Sequence, residues 1–161
     1  MIVLYASSRT PISWAIRAFT WSNFSHVGVL ETNGKWVNEA RYPRCRRVRL
    51  KTFLKDNGVV QPKSENCPRP DLAEAWMRKQ TGYDPAKPEE ESEGLPYDLP
   101  AIFGFMFHRD WTEEDSWFCS EFKTMAFIKG HSAPFMADAL NRITPFESWI
   151  LAGQVLPKLK G

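Results

Sequence analysis

The sequence lacks several features that would assign a function class at once. In its 161 residues, no apolar run reaches the roughly 18 residues that a membrane-spanning helix needs. The net charge is only +2, which is too small to indicate a nucleic-acid partner. The apolar start of the chain has no basic segment before it and no small-residue cleavage site after it. We therefore expect no signal peptide and a cytoplasmic protein.

Motifs for metal binding and for serine catalysis are also missing. Cys45, Cys67 and Cys119 are widely spaced, and neither a C-x-x-C pair nor a His cluster accompanies them. This pattern predicts no zinc site and a reducing compartment, and we expect neither a metal nor a cofactor. Without a G-x-S-x-G elbow, the sequence does not favour Ser25 or Ser120 as a nucleophile.

The composition that remains is typical of one globular domain over residues 1–161. Hydrophobic residues make up 43% of the chain and charged residues 25%, which are ordinary values for such a domain. Aromatic residues reach 14% and include seven Trp. This predicts either a core of large rings or a site lined with them.

Local patterns predict an α+β fold in which an antiparallel β-sheet packs against helices. Pro11 is typical of the first turn of a helix, which Thr10 or Ser8 can cap. Val48, Leu50 and Phe53 alternate with basic residues, which indicates a strand. Further strands are predicted at 2–5 and 57–60. Helices are predicted at 11–20, at 71–82 (capped by Asp71), near Pro100, at 111–130 (ending at Gly130) and, as a short helix, at 131–140, with a last turn at 144–152.

Two charged stretches need separate interpretations. Pro, Glu and Lys dominate residues 84–95, which predicts a mobile loop or insertion. The stretch from Arg41 to Lys51 contains six basic residues. Their alternation favours a solvated strand face over a patch for anionic partners.

The dipeptide Asn33-Gly34 lies between two apolar runs and predicts a β-hairpin with a two-residue type I′ turn. The resulting pairs are Thr32 with Lys35, Leu30 with Val37, Gly28 with Glu39, and His26 with Arg41. Side chains of a strand alternate between faces, so His26 and Glu39 share a face, with open space at Gly28 between them. Glu39 then either orients the His26 imidazole or forms a hairpin salt bridge with Arg41 or Lys35.

Cys119 lies in DSWFCSEF, where acidic and hydroxyl residues lead into an apolar helical pattern. A lone cysteine is most often a small packing residue. If Asp115 or Ser116 caps the helix, however, the backbone N–H groups and the dipole near Cys119 can stabilise a thiolate and receive an oxyanion. From these residues alone, both interpretations stay open.

Three segments together resemble one known group of proteins. They are SHVGVL at 25–30, YDLPAIFGF at 97–105 and WFCSEF at 117–122. These segments are similar to the permuted papain-like hydrolases of the NlpC/P60 superfamily, a group related to YiiX-type proteins and to lecithin:retinol acyltransferase-like enzymes. In that group the His strand precedes the Cys helix, as it does here, and small versions occur in bacteria and phages.

The resemblance implies a circularly permuted papain-like fold and a thiol-dependent hydrolase. Its catalytic residues would be Cys119 as the nucleophile, His26 as the base and Glu39 as the third polar residue. The mechanism would be acyl transfer through an acyl-enzyme.

The resemblance also implies residues that line or brace the site. Tyr97 and Asp98 match the Y-D pair that precedes the Cys helix in this group, and Ser25 and Ser120 flank the two main candidates. A second match, in Gly82-Tyr83-Asp84, is less suitable because no apolar segment follows it directly.

Several functions remain compatible with these patterns. The substrate of an amidase, peptidase or esterase would be a peptide, a peptidoglycan fragment or a lipid ester. The alternatives are a lipid acyltransferase of the lecithin:retinol type and an inactive binding module of the same fold. No nucleic-acid partner is expected, and the sequence leaves the oligomeric state open.

Overall fold

Seven strands form one antiparallel sheet in the part of the chain that the structure describes. The computed structural model describes residues 1–8, 10–98, 117–132, 145–151 and 153–157. Its strands are β1 (Ile2–Ser7), β2 (His26–Leu30), β3 (Trp36–Arg41), β4 (Arg44–Arg49), β5 (Val59–Ser64), β6 (Ser92–Pro96) and β7 (Gln154–Val155). Its helices are α1 (Pro11–Thr20), α2 (Leu50–Asp56), α3 (Pro70–Gln80), α4 (Cys119–Lys129) and α5 (Pro145–Leu151). The predicted helices near Pro100 and at 131–140 fall almost wholly outside the described residues.

The strand order is β6-β4-β3-β2-β1-β5-β7, so β2 and β3 lie in the middle of the sheet. Neighbouring strands pair antiparallel throughout this order. The predicted antiparallel α+β architecture is therefore confirmed at this level.

Helix α1 begins as the sequence predicts. Its bounds match the predicted range of 11–20, and Pro11 occupies the first turn. The Thr10 hydroxyl accepts a hydrogen bond from the Ser13 backbone N–H at 3.2 Å. Thr10, rather than Ser8, is therefore the capping residue.

The predicted hairpin register is confirmed, but the predicted turn is wrong. Gly28 pairs with Glu39 and Leu30 with Val37, as expected. The Glu31 N–H donates to the Trp36 carbonyl at 2.8 Å, which closes a four-residue loop at 32–35. Of the two central residues, only Gly34 has a positive φ, at +70°, so the turn is not type I′. The longer loop keeps the register because it leaves the same residues opposite each other.

Apolar side chains cover both faces of the sheet. One face carries Leu4, Ala6, Leu30, Val37, Val48 and Val60, which pack with Phe53 of α2. The other face carries Val3, Tyr5, Val27 and Val29, which pack with Ala73 and Met77 of α3 and with Phe122 and Ala126 of α4. The alternation along β1 and β2 therefore separates two apolar clusters.

The strand predicted through Leu50 and Phe53 is wrong, because β4 ends at Arg49 and α2 begins at Leu50. Leu50, Phe53 and Leu54 are spaced three and four residues apart, so a helix presents all three to the same apolar cluster. A Cβ atom on Gly28 would lie 2.8 Å from the Phe53 ring. The space predicted at Gly28 is thus filled by Phe53.

The basic stretch is a solvated face only in part. Arg47 is only 2% exposed, and its guanidinium lies 3.8 Å from the centroid of the Trp36 ring. Arg46 is half-buried and donates to Glu39 at 2.7 Å. Arg44, Arg49 and Lys51 are exposed, as the pattern predicts.

The segment predicted as a mobile insertion, 84–95, contains most of β6, which pairs with β4. The Arg47 guanidinium donates to the Pro88 carbonyl at 3.0 Å, and the Thr52 hydroxyl donates to Glu91 at 2.6 Å. These contacts attach the segment to the edge of the sheet. Its mobility stays a prediction.

Two predicted helix caps are wrong. Helix α3 begins at Pro70 with Arg69 at its cap, and Asp71 instead accepts from the Arg69 guanidinium at 2.6 Å. Helix α4 begins at Cys119 with Phe118 at its cap. The helix therefore starts later than a cap at residue 115 or 116 predicts, and Cys119 is its first helical residue.

In the described ranges, no helix has the length and apolar character needed to cross a membrane.

A buried carboxylate, Glu31, joins the sheet to α3. It accepts hydrogen bonds from Arg47 at 2.8 Å and from Arg78 at 2.7 Å, and Asn38 donates at 3.1 Å. Burial alone would raise the pKa of Glu31, but the hydrogen bonds from Arg78 and Arg47 outweigh it and lower the pKa to about 2. A carboxyl whose pKa is depressed on folding stabilises the fold above its unfolded-state pKa, and this stabilisation is lost as the pH falls.

We predict that Glu31→Gln lowers the free energy of unfolding by about 3 kcal/mol near neutral pH, since the depression spans roughly two and a half pKa units. The difference from the wild type should shrink as the pH falls from about 4.5 to about 2. Urea unfolding at several pH values measures it. Glu90→Gln, which removes an exposed partner of Lys87, is the control and should change little. A Glu31→Gln difference that is constant with pH would contradict this account.

Candidate active site

The candidate residues meet at one end of the sheet. His26 is the first residue of β2, Glu39 lies near the end of β3, and Cys119 begins α4. The ladder between β2 and β3 stops at Gly28 and Glu39, and the predicted pair of His26 with Arg41 is not part of it. Glu39 is therefore paired with β2, whereas His26 pairs only on its other side, with Ala6 of β1.

His26 and Glu39 are in direct contact. The His26 Nε2 atom forms a hydrogen bond with Glu39 Oε2, and both residues are buried. The second carboxylate oxygen, Oε1, accepts from Arg46 Nε at 2.7 Å. Arg46 is held in turn by Asp56 at the end of α2, at 2.7 Å. Glu39 is thus fixed from two sides, which fixes the orientation of the imidazole.

The charges of this pair stabilise each other. Burial alone would lower the pKa of His26, but the Glu39 carboxylate and hydrogen bonds with Cys119 and Glu39 raise it to about 9. Burial alone would raise the pKa of Glu39, but the His26 imidazolium and the Arg46 guanidinium hold it below its usual value. Near neutral pH, His26 therefore carries a proton and Glu39 is ionised.

Cys119 reaches this pair from the opposite face of the sheet. Strand alternation places His26 on the α2 face, where its ring centroid lies 6.0 Å from that of Phe53. Cys119 is 3% exposed and packs in the apolar cluster on the α4 face. Its thiol nevertheless lies close enough to the His26 ring to raise the pKa of that ring. Because Nε2 faces Glu39, Nδ1 is the ring nitrogen left for the thiol.

Tyr97 forms a second contact with Cys119. Burial, together with the nearby Cys119, raises the pKa of Tyr97 well above its usual value. The phenol therefore keeps its proton. The backbone N–H of Tyr97 donates to the Pro43 carbonyl at 2.9 Å, which ties this segment to the turn after β3.

The other predicted site residues are Asp98, Ser25 and Ser120, and each is held by its own hydrogen bonds. Asp98 is fully buried, and its backbone N–H donates to the Trp117 carbonyl at 3.1 Å. The Ser25 hydroxyl lies 2.5 Å from that of Ser13. Ser120 is buried within α4, and its carbonyl accepts from the Thr124 hydroxyl at 2.8 Å.

The two Tyr-Asp pairs lie in different surroundings. Tyr83 lies over the guanidinium groups of Arg47 and Arg78, with its ring centroid 4.8 Å and 5.2 Å away. These arginines bind Glu31, not Glu39. Of the two pairs, only Tyr97-Asp98 adjoins Cys119.

A cleft of about 210 Å³ opens beside His26. Cys119 is buried near two of its lining residues, His26 and Tyr97. Most of the described lining carries polar groups. Its hydroxyl residues are Ser8, Thr10, Ser13, Ser25, Tyr42 and Tyr97, and the remainder are His26, Arg41, Asn57 and Ile16.

Two residues near the site, Arg46 and Asn57, are not marked by any sequence motif. Arg46 supports Glu39 because β3 and β4 pair these two residues directly, which a register count through the turn at Tyr42-Pro43 would indicate. Asn57 reaches the cleft because α2 ends there. The sequence does not predict this position, because the alternating pattern before Asn57 indicates a strand where the structure has α2.

The site does not present a ready metal-binding cluster. Across the described ranges, no group of three or more His, Cys, Asp or Glu side chains is placed to hold a metal ion. The Glu39 oxygens are occupied by His26 and Arg46. The described residues therefore do not fit a metal centre at this position, and we derive no chemical step from one.

Comparison with known proteins identifies a structural relative. No family model matches the sequence, and no curated protein matches it. The crystal structure of the metalloprotein YiiX from Escherichia coli O157:H7 is similar, with a TM-score of 0.66 and 16% sequence identity. The similarity covers 99% of this chain and 94% of that chain. At this identity it shows a shared, YiiX-like fold.

The raised pKa of His26 gives a direct test of the site's electrostatics. We predict that NMR titration of the His26 ring gives a pKa of about 9. In Glu39→Gln the pKa should fall toward or below the ordinary value of about 6.5, because burial lowers the pKa of the imidazole and the Glu39 carboxylate no longer raises it. Glu90→Gln, far from the ring in sequence and exposed, should leave it unchanged. An unshifted wild-type value, or one insensitive to Glu39→Gln, would contradict the pairing.

Proposed function

We propose that this protein is a thiol-dependent hydrolase, an amidase, peptidase or esterase, that acts through an acyl-enzyme on Cys119. One observation carries the proposal: the His26 imidazole lies between the Glu39 carboxylate and the Cys119 thiol. A nucleophile, a base and a group that orients the base are the three parts of such a site. The order of His strand and Cys helix, together with the YiiX-like fold, supports a permuted papain-like enzyme.

The first half of the reaction forms the acyl-enzyme. In the resting site, the proton that His26 carries is the one it has taken from the Cys119 thiol, and its raised pKa favours this ion pair. The thiolate attacks the substrate carbonyl carbon, and the carbonyl electrons move to oxygen. The first N–H groups of a helix have no partner within it, so the Cys119 N–H is available to the oxyanion. The intermediate collapses, the bond to the leaving group breaks, and that group takes the proton from His26.

The second half releases the acid. Water gives a proton to neutral His26 and attacks the thioester carbonyl. The carbon–sulfur bond then breaks and the thiolate returns. Glu39 neither gives nor takes a proton in this cycle. It stabilises the imidazolium and holds its orientation.

Two further roles follow from contacts near the sulfur. The Tyr97 hydroxyl lies near the Cys119 thiol, where it positions the thiol and stabilises the thiolate between turnovers. Phe53 packs near the imidazole and limits water on that side, which strengthens the pairing with Glu39. Both are positioning residues.

Two alternatives keep the same architecture. A lipid acyltransferase would pass the acyl group from Cys119 to an alcohol or amine instead of water. A binding module would keep the cleft without turnover. Product analysis distinguishes the acyltransferase from the hydrolase, because the acyl group passes to an added amine or alcohol in the first case and to water in the second. The absence of any acyl-enzyme would favour the binding module.

We predict that a thiol-directed acyl probe labels Cys119 in the wild type and that Cys119→Ala abolishes labelling. His26→Ala should slow labelling by roughly a hundredfold or more, the usual contribution of a general base. Glu39→Gln should slow it less, because Glu39 acts only through His26. Peptide mass spectrometry locates the adduct.

The matched control is Cys67→Ala, which removes another buried cysteine. It should label like the wild type. Labelling that survives Cys119→Ala, or that is unaffected by His26→Ala in folded protein, would refute the catalytic assignment.

A further inference from the structure

Two buried polar atoms of cleft-lining residues make no hydrogen bond. They are Asn57 Oδ1 and Arg41 Nη1, and both residues line the cleft beside His26. Buried polar groups in native proteins nearly always have a partner, and leaving one without a partner is costly. An acceptor and a donor that are unsatisfied at the same cleft point to a ligand that supplies both.

The orientation of the Asn57 amide is fixed. Asn57 is 5% exposed, and its Nδ2 donates to the Phe53 carbonyl at 2.8 Å. This bond identifies the nitrogen and leaves Oδ1 as the acceptor without a donor. If Oδ1 and Nδ2 of Asn57 were exchanged, Oδ1 would face the Phe53 carbonyl oxygen, and neither of these oxygens can donate a hydrogen bond.

Arg41 is held more loosely. Its Nη2 donates to the Asp56 carbonyl at 3.4 Å, and its Nη1 lies 4.0 Å from the Asp56 carboxylate, beyond hydrogen-bond range. Asp56 is already bound by Arg46 at 2.7 Å. A guanidinium with a weak partner can turn toward an oxygen in the cleft at little cost.

The size of the cleft is a further constraint on the ligand. Six of its described lining residues carry hydroxyl groups, four of which already hydrogen-bond one another, and Ile16 is the single aliphatic side chain among them. The volume of about 210 Å³ is also small for a long acyl chain.

We infer that Arg41 and Asn57 are specificity-determining residues that select a peptide-like acyl donor over an alkyl one, an assignment that rests on the proposed function. A peptide group carries one carbonyl acceptor and one N–H donor. Arg41 Nη1 donates to the carbonyl oxygen of an amide next to the scissile bond. Asn57 Oδ1 accepts the N–H of the same part of the substrate. An ester supplies only the acceptor, and an alkyl chain supplies neither.

The test compares two thioesters of equal main-chain length, the thiobenzyl esters of acetyl-alanyl-alanine and of octanoic acid. Both have the same leaving group, and Cys119→Ala gives the uncatalysed rate. We expect the wild type to favour the peptide thioester in kcat/KM by about tenfold or more, because a hydrogen bond to a charged group contributes at least that factor. Arg41→Met should reduce this ratio by about tenfold.

The matched control is Arg44→Met. Arg44 is exposed, lies outside the described lining of the cleft and donates to the Gly94 carbonyl. The ratio of the two kcat/KM values in Arg44→Met should therefore equal that of the wild type. Asn57→Ala should also lower the ratio, and circular dichroism reports whether that variant is folded. A wild-type ratio near one, or equal ratios in Arg41→Met and Arg44→Met, would overturn the assignment.

A separate measurement distinguishes this assignment from the proposed function. If neither thioester shows turnover that depends on Cys119, the hydrolase proposal fails. Calorimetry with Cys119→Ala then tests the cleft alone, using acetyl-alanyl-alanine amide as the probe. Binding that Arg41→Met weakens by about tenfold, and Arg44→Met does not, supports the assignment. Equal binding by both variants refutes it.

Discussion

The contact between His26 and Glu39 is the interaction on which the site depends. Two buried ionisable groups are costly to remove from water unless each has a partner. Here the carboxylate has His26 on one oxygen and Arg46 on the other. Breaking this arrangement would leave a buried charge without a partner, so the fold keeps Glu39, His26 and Arg46 in one geometry.

The architecture around this contact explains why Cys119 lies beside it. The β2–β3 ladder fixes Glu39 opposite Gly28, and Phe53 fills the space above Gly28. Helix α4 packs on the other face and begins at Cys119, so the first turn of the helix points at the end of the sheet. The imidazole thus lies where the two layers meet, and the polar cleft opens at the same edge.

The sequence predicts the parts of this arrangement that depend on local rules. Asn33-Gly34 and strand alternation place Glu39 near His26, and Pro11 with Thr10 sets the start of α1. The turn type is missed because a four-residue loop gives the same register. Helix α2 is missed because Leu50 continues the alternation of Val48, and only Leu50, Phe53 and Leu54 together show helical spacing. Arg41 and Asn57 gain their roles from a cleft that several elements form together, which no local pattern encodes, whereas the place of Arg46 opposite Glu39 follows from the hairpin register through Tyr42-Pro43.

The central claim is that His26 makes Cys119 a nucleophile, and site-resolved alkylation with iodoacetamide against pH tests it most directly. Burial raises the pKa of Cys45 to about 12 and also raises that of Cys67, so both should react slowly. The account predicts that Cys119 reacts faster than either at mildly acidic pH, and that folded His26→Ala loses this reactivity. If all three cysteines show the same profile, or His26→Ala leaves that of Cys119 unchanged, then Cys119 is a packing residue.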